Sequence, residues 1–360
     1  MDHDAPPPMI DGLKAALTAA GIDAVPEPMA DTGLAHLHFR LPGTGLIARC
    51  PKQSQMRLGA AENLAYQAAC YRRASASRHA PTLERVLEPS DALPRGALLV
   101  EEIIGRTARL PEDLAALTDA LAAIHRLALP APAERAPLLA PDDPLADLLA
   151  EIGAQAAYLD AAAVAPATRR VLEEGVAALR ALAAGTDRPP KRLISFDAHP
   201  GNFLLDAAGR AVLVDLEKGR YSAPQLDLAH ATLYTSTTWD VASYAVLSTE
   251  QVIAAYRRWL DAVAGEDWAG ENRQGGAGEA ARRWAVPMRR AMWLWSMTWC
   301  AKWRVLSVRE ATAGGAGEDW SAERSEDALV AHVRGRVDHY LDPETATRIA
   351  TEFDALAAAL

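Results

Sequence analysis

Asp197 and Asn202 stand five positions apart, and Asp215 follows in the same run, LISFDAHPGNFLLDAAGRAVLVDLEKGRYSAPQLDL, residues 193–228. A carboxylate beside an attacking hydroxyl can take its proton, and an amide oxygen with a second carboxylate supplies hard ligands for a divalent ion that offsets phosphate charge. That set suits magnesium-dependent phosphoryl transfer. An Asp-x-x-x-x-Asn loop is also an ordinary turn, because both residues favour turns. Asp215 at the end of an apolar run, with HPGN and LDLA on either side, moves the reading toward catalysis.

The elements that must position these groups can be read from period and punctuation. Asp11 caps a helix ending at Gly21, and residues 36–41 (HLHFRL) and 45–50 (GLIARC) form an antiparallel hairpin turned by Pro42, Gly43 and Gly45. Residues 58–74 carry apolar side chains at helical spacing, and 97–104 (ALLVEEII) read as a buried strand closed by Gly105. Helical signal then dominates: 114–127, and two helices within 145–182 split near Pro166. Short apolar runs at 193–196, 203–205 and 211–214 place the acid-amide motif on a loop followed by a small hairpin. Beyond Pro224 the pattern is helical again, with Gly-rich acidic loops at 265–278 and 311–319.

At 360 residues the chain exceeds what one core holds, so two lobes are expected. The formal net charge of −10 argues against nucleic acid or an anionic membrane as the partner and favours a small molecule. Cys50, Cys70 and Cys300 make no C-x-x-C, and His125, His230, His332 and His339 have no zinc spacing. With no signal-peptide pattern and no run of about 18 apolar residues, a cytoplasmic protein is expected.

Strands first, a helix between them, then a large helical half bearing DAHPGNFLLD, VDLE and LDLA: in this order the sequence resembles the aminoglycoside phosphotransferase and choline kinase group of protein-kinase-like enzymes. The resemblance implies an α+β, two-lobed fold. Its small antiparallel-sheet lobe spans 1–105 and its mainly helical lobe 106–360. It implies ATP and Mg²⁺ as cofactors and transfer of the γ-phosphoryl group to a hydroxyl of an aminoglycoside-, choline- or sugar-like acceptor. Asp197 would be the base or hydroxyl-orienting carboxylate, and Asn202 and Asp215 the metal ligands. Asp227 would be a buried acceptor tying the loop down. The family usually carries His where this chain has Ser195, and a small residue where it has Phe196.

In the small lobe a cation must reach the phosphates and be held by a helix carboxylate. Arg49, inside GLIARC, and Glu62 are the candidates, with Lys52 as the alternative cation. Gly33 lies in the turn that would cover the phosphates. Backbone groups near Glu102 and Ile103 fall where the inter-lobe hinge would bond adenine. Glu217, with Lys218 and Arg220 after it, would sit at the mouth of the site against metal-bound water or substrate; a charge cluster after a strand is more often simply solvated, so only Glu217 is kept as a candidate. Tyr234, Trp239 and Asp240 would wall the acceptor. Trp295, Trp299 and Trp303, every fourth residue on one helical face, read first as a packing seam and second as acceptor lining. The rival readings are a catalytically silent nucleotide- or metabolite-binding regulator and a metal-dependent hydrolase using Asp197, His199 and Asp215.

Overall fold

The computed structural model describes residues 7–30, 35–266, 268, 277–313 and 327–360. Helix α1 (Pro7–Ala19) begins earlier than expected. Proline is tolerated in a first turn, where no intrahelical N–H partner is lost. Asp11 therefore lies inside the helix and pairs with Lys14 instead of capping it.

Strands β1 (Glu27–Pro28), β2 (His36–Leu41) and β3 (Leu46–Pro51) precede helix α2 (Ala60–Ala74), and β4 (Leu83–Leu87) and β5 (Ala97–Glu101) follow it. They form one antiparallel sheet in the order β1-β2-β3-β5-β4. The expected hairpin is present, with His38 opposite Arg49 and Leu41 opposite Leu46. Strand β4 was not anticipated, because exposed Glu84 and Arg85 hide its alternation. Charged residues are common on edge strands. Side-chain alternation divides the sheet into two faces. Phe39, Leu41, Ala48 and Leu99 pack with Leu13 and Leu17 of α1 on one face. Ile47, Leu98 and Val100 pack with Leu64 and Tyr71 of α2 on the other. By parity His36, His38 and Arg49 share this second face.

The remainder is mostly helical. Strand β6 (Gly105–Thr107), α3 (Leu114–His125), α4 (Pro144–Ala156) and α5 (Pro166–Ala183) lead to β7 (Arg192–Ile194), β8 (Phe203–Asp206), β9 (Ala211–Leu213) and β10 (Arg220–Ser222). Then come α6 (Gln225–Thr232), α7 (Tyr234–Thr237), α8 (Thr249–Val263), α9 (Ala277–Arg283), α10 (Ala285–Ala313), α11 (Asp327–Tyr340) and α12 (Pro343–Ala359). The hairpin β8–β9 joins β6 in a three-stranded sheet, and β10 pairs antiparallel with β7. Thus the strand entering the acid-amide loop is zipped to the segment that follows Asp215. Helix α10 runs through the core, where Met288, Met292, Trp293 and Met297 pack with Leu148, Leu172 and Ile349. The glycine-rich acidic loops read at 265–278 and 311–319 lie mostly outside the described residues. Among the described residues no helix is long and apolar enough to cross a membrane.

Candidate active site

The acid-amide loop is fixed from behind by one buried acid. Asp227 of α6, fully buried, accepts Ser195 N–H at 2.7 Å through Oδ2 and Phe196 N–H at 2.8 Å through Oδ1. The Ser195 hydroxyl also donates to Asp227 at 3.2 Å and accepts Asp197 N–H at 3.1 Å. Behind Asp227 lies His125 of α3, its Nε2 at 3.4 Å, while the Trp259 indole donates to His125 Nδ1 at 3.0 Å. Indole N–H only donates, so Nδ1 accepts and Nε2 carries the hydrogen toward Asp227. Ser195 therefore leaves no gap in the anchoring: its hydroxyl links Asp227 to the Asp197 backbone.

Phe196 has φ +58°, a left-handed conformation that costs a residue with a side chain about 1 kcal/mol or more. Its ring is gripped to hold that turn. The Arg220 guanidinium lies 3.9 Å over it and Trp295 meets it edge-on at 5.1 Å. Glu151 of α4 ties both together, accepting Arg220 Nη1 at 2.6 Å and the Trp295 indole at 2.9 Å. Arg220, expected in solvent, is buried here.

Past this turn Asp197 faces Lys218, whose Nζ donates to Oδ2 at 2.9 Å, and His230 Nδ1, 4.0 Å from Oδ1. Burial would raise the Asp197 pKa, but the charges of Lys218, His199 and His230 outweigh it and bring the carboxyl down to about 2. Lys218, set aside above as an ordinarily solvated charge, is thus a neighbour of the candidate base. His230, read above only as lacking zinc spacing, arrives from α6. Burial, partly opposed by Asp197, lowers its pKa to about 4.

Asn202 donates its amide N–H to the Asp197 carbonyl at 2.8 Å, which leaves its amide oxygen to face a ligand. Gly201 gives the loop close approach: a Cβ there would crowd Asp240 Oδ2 and the His199 ring, so those side chains would have to shift. Asp240 therefore abuts the loop.

Asp215 follows β9, and its partner comes from the other lobe. Arg49 Nη2 donates to Asp215 Oδ1 at 2.9 Å and Nη1 to the Val214 carbonyl at 3.2 Å. Tyr71 of α2 donates to the same carbonyl at 2.8 Å. Arg49 is 4% exposed, and its guanidinium lies 5.6 Å from the Tyr71 ring centroid.

Glu62 is not brought to Arg49. It is exposed at the start of α2, where Oε2 accepts Gly59 N–H at 3.4 Å as part of a helix cap. The α2 residue that meets Arg49 is Tyr71, whose ring lies beside the guanidinium, so the carboxylate that pairs with Arg49 is Asp215 and none comes from the helix. Glu217 is buried, with Oε2 3.3 Å from His36 Nδ1. Burial, reinforced by Asp215, holds its carboxyl well above the ordinary range.

The acceptor candidates lie farther along. Trp239 meets Trp299 at 5.9 Å and stacks on Tyr340 at 6.4 Å. Tyr234 bonds His339 at 2.8 Å, and Arg348 lies 4.1 Å over its ring. Trp303 is buried in the core, whereas Trp295 and Trp299 reach from α10 to Phe196 and Trp239, so the stripe packs both into the core and against the candidate acceptor residue Trp239. Where the hinge is expected, Glu102 N–H is taken by the Gly45 carbonyl at 2.8 Å, and its side chain accepts Arg40 at 2.6 Å. Gly33 lies outside the described residues. A cavity of about 400 Å³ lined by Leu179, Arg290 and Phe353 sits among α5, α10 and α12 and holds none of these groups.

A small antiparallel sheet and a large helical half, joined across an acid-amide loop, define a two-lobed protein-kinase-like fold. The model of the phosphotransferase enzyme family (APH) matches residues 18–270, and the chain belongs to that family. Solved structures agree in fold. A choline/ethanolamine kinase family protein from Mesorhizobium loti is 19% identical, covers 96% of this chain and 99% of its own, and has a TM-score of 0.56. Aminoglycoside 2'-phosphotransferase-IIIa in its GDP complex is 14% identical, with 92% and 99% coverage and a TM-score of 0.58. Spectinomycin phosphotransferase APH(9)-Ia, in complex with ADP and spectinomycin, is 10% identical, with 96% and 98% coverage and a TM-score of 0.56. None of the curated proteins matches the chain.

Proposed function

We propose that this phosphotransferase moves the γ-phosphoryl group of ATP to a hydroxyl of a small molecule in the cytoplasm, with Mg²⁺ as cofactor. The observation that carries the reading is the convergence at one loop of an ionised, half-buried Asp197 with Asn202, opposite an Asp215 already met by Arg49. The nucleotide complexes of two similar folds, one with GDP and one with ADP, support nucleotide use.

The donor set fits a hard divalent ion. Asn202 uses its amide N–H internally and keeps its oxygen, and Asp215 gives one oxygen to Arg49 and keeps the other. Asn202 and Asp215 would hold Mg²⁺, which when bound offsets phosphate charge.

The remaining chemistry belongs to the chain. With Lys218 on Oδ2, Asp197 presents Oδ1 to an acceptor hydroxyl, and a carboxyl held to about 2 keeps a hydroxyl oriented while holding a proton poorly. Asp197 therefore acts chiefly by orientation, and the hydroxyl proton passes late to its Oδ1, as the new O–P bond forms and the bond to ADP breaks. Arg49 supplies fixed positive charge beside the phosphates. The Glu102 carbonyl and the Ile103 backbone are the groups for adenine, because the Glu102 N–H is engaged. The hinge then spans about Glu101 to Gly105, with the small lobe ending at residue 105 and the helical lobe beginning at 106. Tyr234, Trp239 and Asp240 wall the acceptor, and an acid among aromatic rings suits an amino-bearing or sugar-like alcohol.

The test is ADP release across a panel of aminoglycosides, amino alcohols and sugars, with Asp197→Asn as control. Acceptor-dependent ADP release that this substitution abolishes supports the reading. Nucleotide binding without turnover for any acceptor would instead favour a silent regulator.

A further inference from the structure

Strand β2, helix α2 and the segment after Asp215 meet at a point separate from the Asp197 loop. His36 is 2% exposed and Glu217 5%. One ligand atom each from His36, Asp215 and Glu217 falls within 4.8 Å of the other two. His36 Nε2 is bonded to Gln67 Oε1 at 2.9 Å. An amide oxygen only accepts, so Nε2 carries the hydrogen and Nδ1 turns its lone pair to Glu217 Oε2, 3.3 Å away. Two lone pairs do not rest against each other in a buried site unless a cation or a proton lies between them. Glu217 Oε1 is also buried and has no hydrogen-bond partner in the described structure.

We propose that His36, Asp215 and Glu217 form a binding site for a first-row transition-metal dication, filled without nucleotide. One imidazole nitrogen with two carboxylates suits Mn²⁺, Co²⁺ or Zn²⁺, whereas Mg²⁺ keeps to oxygen and water. The bond from Gln67 to the far ring nitrogen is the usual support of a metal-binding histidine, fixing its tautomer and orientation. Arg49 holds Asp215 through Oδ1, so Oδ2 is the oxygen assigned to the ion. The site shares Asp215 with the magnesium pair but not Asn202, and it takes one ligand from the small lobe, so an ion there joins the lobes. It does not depend on the phosphotransfer reading, since no nucleotide or acceptor takes part.

The experiment uses the full chain, stripped with a chelator and free of nucleotide, titrated with Mn²⁺ and followed by electron paramagnetic resonance. One Mn²⁺ should bind per chain, with a directly coordinated nitrogen in the pulsed spectrum. His36→Gln should remove that nitrogen coupling, and Glu217→Gln and Gln67→Leu should weaken binding by about tenfold or more. Asn202→Ala should leave binding unchanged. Circular dichroism checks that each variant is folded, and the wild-type nitrogen coupling is a readout that needs no variant. Wild-type protein that retains no Mn²⁺ would mean that a proton bridges His36 and Glu217, and the site is refuted. Bound Mn²⁺ without nitrogen coupling, lost on Asn202→Ala, would equally overturn it. Neither result bears on acceptor-dependent ADP release.

Discussion

The two sides of the cleft are built differently. On the helical side, Asp197, Asn202 and Asp215 come from one short stretch of chain, and a single acid, Asp227, fixes its backbone through Ser195 and Phe196. On the sheet side, Arg49, His36 and Tyr71 come from three elements and reach across to Val214, Asp215 and Glu217. The first side keeps its geometry by hydrogen bonds made within the helical lobe, the second by contacts between lobes. Polar groups on the sheet side therefore depend on the lobes staying together, whereas the acid-amide loop does not.

The sharpest way to break this contrast is at the proposed base, Asp197. Asp197→Asn should cut acceptor-dependent turnover by about 10²–10⁴-fold while the melting curve barely moves. Next comes the anchor: Asp227→Ala strands the Ser195 and Phe196 N–H groups in a buried site and should cost roughly 3 kcal/mol, read by denaturant unfolding. A cost under about 1 kcal/mol would show that the loop holds itself.

On the sheet side, Arg49→Met should lower kcat/KM for ATP by about a hundredfold. Glu62→Ala should leave it within about twofold, since that carboxylate caps a helix. Equal losses from the two would restore the ordinary cation–carboxylate pair and remove the distinction drawn here.

The smallest effect is on pH dependence, measured on metal-free protein. Burial lowers His36 to about 3 and His230 to about 4, so below their ordinary value of 6.5 the unfolded chain binds protons that the folded chain does not. Stability should therefore fall as pH drops from about 6.5 toward 4. Glu217, raised by burial and Asp215, opposes this, since its folded form keeps a proton that the unfolded form releases above 4.5. The slope should thus be shallower than two histidines alone would give, and a midpoint that rises on acidification would contradict the assignment.

Phe196 shows where reading a sequence reaches its limit. A bulky residue where a small one is common looks like a weakness, yet its left-handed backbone is matched by Arg220 and Trp295, both held by Glu151. Nothing in the spacing of residues 151, 196, 220 and 295 announces that meeting. Lys218 was misjudged for the same reason: a charge after a strand is ordinarily solvated, and only the return of the chain puts it on Asp197. The hairpin of β2 and β3 was legible because alternation and turn residues act within a few positions, whereas β4 was not, because an edge strand carries charges.

The sequence by itself determined the order of elements, the loop that bears Asp197 and Asn202, and the acid that follows at Asp215, because turn chemistry and side-chain period are local properties of the chain. Tertiary structure alone decided the partners: Tyr71 and Asp215 for Arg49, Lys218 and His230 for Asp197, and His36 for Glu217. Those choices are set by which faces pack together over distances of many residues, and charge pairing is indifferent to sequence separation.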